Sequence, residues 1–276
     1  MTDEERLDRN RSHWDELAEL HPDTDYYDVE GFLDGESSLD RLELEGVGDV
    51  AGRTLLHLQC HFGLDTLSWL REGAAEVVGA DFSATAIETA RDLAGRIDLG
   101  DRATFVESNL YALDDALDEE FDVVFTSYGV LNWLPDVEAW ADVVARFLKP
   151  GGRFFIAELH PISHVFMDLR VDEDDTVRSD WPYFSDEPLT FDEDGTYADF
   201  EASVEHTVTH EWSHSLGEIV TALVDAGLTV DELREHPFAS FEQFPGRMRK
   251  RADGHWEIPG EDYPLTFSLR AHRPAE

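Results

Sequence analysis

Residues 54–66, TLLHLQCHFGLDT, read as a buried strand that runs into a tight turn and then a helix. Such a unit, with its ligand end at the turn, opens many α/β sheets. This turn is poor in glycine. Gln59, Cys60, His61 and Phe62 stand where a phosphate loop needs bare backbone. A dinucleotide fingerprint would place Gly at 59, 61 and 64, where the chain has Gln, His and Leu, and there is no P-loop lysine. A ligand with a nucleoside but no phosphate tolerates larger side chains at such a turn.

Downstream, strands alternate with helices. AEVVGADFS (75–83), ATFVES (103–108), FDVVFTSYG (121–129) and RFFIAEL (153–159) are short apolar runs. Such runs are expected of parallel strands with helices covering both faces. DTLSWLREGA (65–74), SATAIETARDLAGRI (83–97) and PDVEAWADVVARFL (135–148) carry helical spacing between them. Asp65 or Thr66 is a capping candidate for the first, Pro135 opens the third, and KPGG (149–152) is a turn. SLGEIVTALVDAGL (215–228) is a further helix with Gly227 as its C-cap, and TVDELREHP and PLTFSLRAH close the sheet. The expected fold is α/β: a doubly wound, seven-stranded, mostly parallel sheet with an inserted lid. Residues 1–50 form a helical cap segment, with Leu7, Trp14, Leu17 and Leu20 on one helix face. Residues 51–159 and 215–276 form the sheet domain. Residues 160–214, where the alternation lapses, form the insertion, since so long a bare loop is rare in a compact domain.

With 42% hydrophobic and 11% aromatic residues, the 276-residue chain can build a sizeable core. Its net charge of −41 comes from 62 acidic residues spread along the chain against 21 basic ones, with Lys149 and Lys250 the only lysines. That distribution fits a halophilic cytoplasm, where salt screens the self-repulsion, and it counts against a nucleic-acid partner. The charged start MTDEERLDRN and the lack of a long apolar run lead to the expectation of a cytoplasmic protein without a membrane partner. A lone Cys60 leaves no internal disulfide. GRMRKR (246–251) reads as a loop anchored by neighbouring carboxylates or as an anion-steering patch at an entrance.

Asp81 ends the second strand, 18 residues beyond Gly63. A carboxylate there can accept both hydroxyls of a ribose. It could instead cap the next helix, but Ser83 is the better cap and leaves Asp81 free for a ligand.

At this point the sequence resembles the class I S-adenosylmethionine-dependent methyltransferases. The matching stretches are LLHLQCHFG, VVGADFS, FVESNLYAL, FDVVFTSYGVLNWLPD and LKPGGRFFIAELHP, in family order across roughly residues 50–161. LHLQCHFG resembles a variant subgroup in which His57, Gln59 and His61 replace an acidic residue and two glycines. The resemblance implies S-adenosyl-L-methionine as cofactor and methyl transfer to a small-molecule acceptor. It implies that Gln59, Cys60, His61 and Gly63 wrap the methionyl part. Asp81 would hold the ribose, with Phe82 on adenine; Asn109 and Leu110 would meet the adenine edge; Ser127, Tyr128 and Gly129 would line the floor beneath the sulfonium. Trp14 and Tyr26 or Tyr27 close over the cofactor or simply pack. An NAD-dependent oxidoreductase and a non-catalytic cofactor-binding module are the competing readings.

Displacement at an activated sulfonium needs alignment first and a base only where the acceptor must lose a proton early. His160 and His214 are the expected catalytic residues, with Glu211 as a further candidate. His206, His210 and His214 recur at spacing four, so a metal site is one reading, but HTVTHEW reads as a strand, where such neighbours lie too far apart to share one ion, and surface or rim packing is the favoured reading. Oligomeric state is open.

Overall fold

The computed structural model describes residues 1–167, 169–171 and 175–275. In chain order, α1 is Asp3–Leu20, α2 Val29–Leu33 and α3 Arg41–Val47; β1 is Thr54–Leu58, α4 Leu64–Arg71, β2 Glu76–Asp81, α5 Ala84–Gly95, β3 Ala103–Glu107, α6 Leu113–Ala116, β4 Phe121–Ser127, α7 Val137–Phe147 and β5 Leu148–Leu159. Next come α8 Pro161–Met167, β6 Arg170–Val171, β7 Val177–Arg178, β8 Leu189–Asp192, β9 Val208–Glu211, α9 Leu216–Asp225, β10 Thr229–His236, β11 Arg249–Lys250, β12 Trp256–Glu257 and β13 Thr266–His272.

The seven-stranded sheet has the order β10-β13-β5-β4-β1-β2-β3. The pairs among β1 to β5 are parallel, whereas β13 runs antiparallel to both β5 and β10. The expected doubly wound sheet is therefore present. Its central strands are buried on both faces because two apolar clusters flank them. One gathers Trp140, Phe147 and Phe154 under α7 and α9; the other gathers Phe62, Trp69 and Phe125 under α3, α4 and α5. Trp140 and Phe125 are wholly buried. The edge strand β10 exposes Asp231, Arg234 and Glu235, charges that discourage edge-to-edge pairing.

Capping chemistry sets most helix boundaries. Ser83 caps α5 by accepting from the Ala86 N–H, and Asp136, one residue after Pro135, caps α7 through the Ala139 N–H. Ser215 and Glu218 form a reciprocal capping box on α9, and Gly227 (φ +88°) lies just past its end. Helix α4 departs from expectation: its N-cap is Gly63 with no side-chain cap, and Asp65 and Thr66 lie inside the first turn. KPGG also differs, because β5 already begins at Leu148 and carries an irregular register against β4.

The described residues of 160–214 include α8 and two antiparallel strand pairs, β6–β7 and β8–β9, outside the seven-stranded sheet. A second excursion, residues 237–265 between β10 and β13, holds the β11–β12 hairpin. The sequence reading had placed it in the sheet domain. Helix α1 is tied to β9 by polar groups. Asn10 exchanges two hydrogen bonds with the His210 backbone (2.6 and 2.8 Å), and Glu16 accepts from the Glu205 and His206 N–H groups (2.6 and 2.9 Å). Among the described residues no helix is long and apolar enough to cross a membrane.

Candidate functional site

A cleft of about 950 Å³ opens over the carboxyl ends of β1, β2 and β4. This is where open α/β sheets place ligands, and its size is at the upper end for small-molecule sites. Its floor is the turn between β1 and α4. Gln59 (φ +55°), His61 (φ +50°) and Gly63 (φ +82°) are all left-handed there. Only the last is a glycine, and a Cβ at Gly63 would come within 2.6 Å of the Phe105 ring. Two residues with side chains thus sit in a backbone region that suits glycine. The turn is held by its neighbours: the Cys60 N–H bonds the Ala80 carbonyl (3.0 Å), and Gln59 Nε2 donates to the Val130 carbonyl (3.0 Å).

Asp81 is buried at the end of β2. Its Oδ2 accepts from the His61 N–H and its Oδ1 from the Ser83 N–H, both at 2.9 Å. The carboxylate is therefore not free, as the sequence reading had it. Each oxygen keeps a second lone pair. Burial raises its pKa to about 6, against the pull of those N–H groups.

Every residue read as a cofactor contact lies on the cleft wall: Trp14 and Tyr26; Gln59, Cys60, His61 and Gly63; Asp81 and Phe82; Asn109 and Leu110; Ser127, Tyr128 and Gly129. Asn109 also caps the short turn after β3 by accepting from the Tyr111 N–H (3.0 Å). Burial pushes the Cys60 thiol pKa well up, so it is a packed neutral group.

The loop after β4 is fixed by one carboxylate. Glu158 is buried and accepts from the N–H groups of Gly129, Val130 (2.8 Å), Leu131 (3.1 Å) and Leu159. Beneath that loop the cleft runs to Glu43 on α3. Glu43 is 2% exposed and meets the Tyr128 hydroxyl, while the Gln59 Oε1 and the His57 Nε2 are buried without a partner. All four residues line the cleft, so polar atoms there await a ligand or water. Burial raises the Glu43 pKa to about 7 against the pull of the Tyr128 hydroxyl, and Asp65 and Asp40 push it further up.

The roof comes from elsewhere in the chain: Trp14 and Tyr27 from the N-terminal segment, Tyr197 and Phe200 from the first excursion, Phe241 and Trp256 from the second. The Tyr27 and Tyr197 hydroxyls hydrogen-bond each other across it. Sequence reading missed His21, Glu43, Tyr197 and Trp256. Each lies on a segment without motif spacing, and only the fold brings them together.

The expected catalytic residues lie elsewhere. His160 bonds Glu235 Oε1 (2.9 Å) and accepts from the Ile162 N–H (3.1 Å), holding the start of α8. His214 donates to the Leu134 carbonyl (2.7 Å) beside a separate small cavity. Glu211 accepts from the Asn132 side-chain amide. None of the three lines the cleft. They were chosen for following β5 or belonging to the insertion, but their side chains turn into packing contacts. His210 contacts Thr190 (3.0 Å) while its neighbours at spacing four point elsewhere, and among the described residues no three candidate ligands could hold a metal. In GRMRKR, Arg249 pairs with Glu257 and Arg251 with Asp253 (2.9 Å), while Lys250 reaches the cleft rim near the Trp256 ring.

Residues 56–156 match the family profile described as "Methyltransferase domain". A ubiquinone biosynthesis O-methyltransferase from Brucella ovis is 38% identical over 111 residues, 40% of this chain and 42% of that protein. One from Neisseria meningitidis is 29% identical over 131 residues, 46% and 53% of the two chains. The chain therefore spans about half the length of these curated relatives. Among solved structures, an S-adenosylmethionine-dependent methyltransferase from Mesorhizobium loti superposes with TM-score 0.55 at 23% identity, covering 87% of this chain and all of that one. The glycopeptide N-methyltransferase MtfA, solved with S-adenosyl-L-methionine, gives TM-score 0.52 at 19% identity over 91% of this chain and 95% of its own. These likenesses show the fold.

Proposed function

We propose that the chain is a methyltransferase that takes its methyl group from S-adenosyl-L-methionine and delivers it to a small-molecule acceptor. The observation that carries this is the Asp81–His61 junction. A carboxylate with spare lone pairs is clamped to a turn whose side chains fill the space a pyrophosphate would need. The same crowding argues against a nicotinamide dinucleotide. Eight carboxylic side chains and one lysine line the cleft, a charge balance suited to a cationic sulfonium donor. The unpartnered Gln59 Oε1 and His57 Nε2, beside the Glu43–Tyr128 pair, fit the polar tail of such a donor.

In this reading, Asp81 accepts from the ribose hydroxyls, and Phe82, Asn109 and Leu110 border the adenine. Gln59 to Gly63, with Ser127 to Gly129, surround the methionyl part. The cofactor supplies an activated methyl group. The chain binds and aligns the two reactants and, through the aromatic roof, keeps water out. Residues 160–214 and 237–265 serve together as the acceptor lid. The variant turn marks the subgroup, the acidic composition reflects a salt-rich cytoplasm, and the site is served by no metal.

Calorimetric titration with S-adenosylhomocysteine tests the reading. Asp81→Ala is expected to weaken binding about 10–100-fold, the worth of hydrogen bonds to a charged group. A metabolite screen with labelled methyl donor in molar salt should give product with the parent protein and lose it with this variant. Product formation indifferent to Asp81→Ala would overturn the ribose assignment.

A further inference from the structure

Three distant segments meet at one open ring nitrogen. His61 Nε2 lies 2.8 Å from His21 Nδ1, and His21 Nε2 lies 2.8 Å from Thr196 Oγ1. His21 is wholly buried on the chain leaving α1, and Thr196 belongs to the first excursion. Thr196 Oγ1 also accepts from the Ala198 N–H (2.9 Å), which fixes its hydroxyl. The His61 backbone N–H is committed to Asp81, so the turn cannot swing away. The ring stands between floor and roof, with its centroid 5.4 Å from Trp14 and 5.7 Å from Tyr27. Among the described residues no group bonds His61 Nδ1, and that atom is not among those sealed from solvent.

We propose that His61 Nδ1 receives the proton of the methyl acceptor, with His21 taking up the His61 Nε2 proton and Thr196 positioning the His21 ring. This rests on the donor reading above. It narrows the acceptor to a nucleophile that still carries a proton, a hydroxyl or a neutral N–H.

The chain of bonds runs in either direction, depending on which nitrogen of each ring holds hydrogen. With His61 Nε2–H donating to His21 Nδ1, and His21 Nε2–H donating to Thr196, the His61 Nδ1 lone pair faces the cleft. A cleft built for a cation favours that direction, since a lone pair and not an N–H then meets positive charge. Burial lowers both pKa values, with His13 adding to it at His21 and His21 adding to it at His61; His21 falls to about 4 and His61 well below its ordinary value, so both rings are neutral and each carries a lone pair for a proton. As the acceptor atom bonds to the methyl carbon, the carbon–sulfur bond breaks and its electron pair stays on sulfur. The acceptor's proton goes to His61 Nδ1, and the Nε2 proton shifts to His21. The positive charge lost by sulfur is thereby taken up by the histidine pair.

The test uses two probes, S-adenosylhomocysteine and sinefungin, whose amine-bearing carbon stands where the sulfur and its methyl would be. His61→Asn keeps a residue that tolerates the left-handed backbone. It is expected to lower the sinefungin-to-S-adenosylhomocysteine affinity ratio at least tenfold, the ratio cancelling whatever both ligands lose alike at the methionyl contact. An unchanged ratio, or equal loss of both ligands, overturns the proposal and leaves the donor reading standing. Binding of neither probe by the parent protein overturns both. Independently of any variant, long-range ¹H–¹⁵N spectra of the sinefungin complex are expected to show His61 bearing hydrogen on Nε2. An Nδ1–H tautomer there overturns the assignment.

Discussion

The floor and the roof of the cleft are held together by different forces. The floor rests on β1, β2, β4 and β5, whose side chains disappear into two apolar clusters on either face of the sheet. The roof is attached by polar groups that cross long stretches of sequence: Asn10 to His210, Glu16 to Glu205 and His206, His13 to the His206 carbonyl (2.7 Å), and His21 to Thr196. Apolar burial is roughly proportional to area and hard to undo locally. Single hydrogen bonds each contribute about 0.5–1.5 kcal/mol net and exchange readily with water. A rigid floor under a roof tied by exchangeable bonds suits a site that must admit a ligand and then exclude solvent.

The comparison breaks most severely at the floor. Trp140→Ala, removing a wholly buried ring under the sheet, is expected to cost about 3–5 kcal/mol in urea unfolding. Protection against hydrogen exchange should then fall across all of β1 to β5 together. Loss confined to α7 would mean the two clusters do not act as one core.

A change of opposite sign is expected where floor meets ligand. Glu43 titrates near 7 in the folded chain and near 4.5 when unfolded, so its charge is a burden on the folded state. The burden is complete above about pH 7 and absent below about 4.5. Glu43→Gln should therefore stabilise the ligand-free protein by up to about 3 kcal/mol at pH 8 and have no effect at pH 4.5. Destabilisation at pH 8 would mean that the charged carboxylate is paired in the folded state.

The smallest effect belongs to the roof. Asn10→Ala removes both bonds to the His210 backbone and is expected to cost about 1–2 kcal/mol. Amide exchange should rise at residues 206–211 while β1 to β5 stay protected. Equal loss of protection in floor and roof would show that the two unfold as a unit.

What could be read from the sequence divides along the same line. Residues 54–159 were largely legible because the strands are apolar runs and Ser83 and Asp136 cap α5 and α7 locally, so local chemistry and global fold agree there, whereas the cap of α4 and the start of β5 were misread. Asp81 and the turn from Gln59 to Gly63 were legible for the same reason, since the ends of neighbouring strands meet wherever the sheet forms. His160, His214 and Glu211 were chosen by their place after β5 or in the insertion, which says nothing about where a side chain turns.

The sequence by itself determined the sheet, its helices and the turn that floors the cleft, because apolar periodicity and capping act over a few residues. Only the tertiary structure decided which distant side chains close over that turn. His21, His61 and Thr196 lie 40 and 135 residues apart along the chain, counting from His21 to His61 and from His61 to Thr196. Their contact depends on how α1 and the first excursion dock, through polar bonds that leave no periodic trace in the sequence.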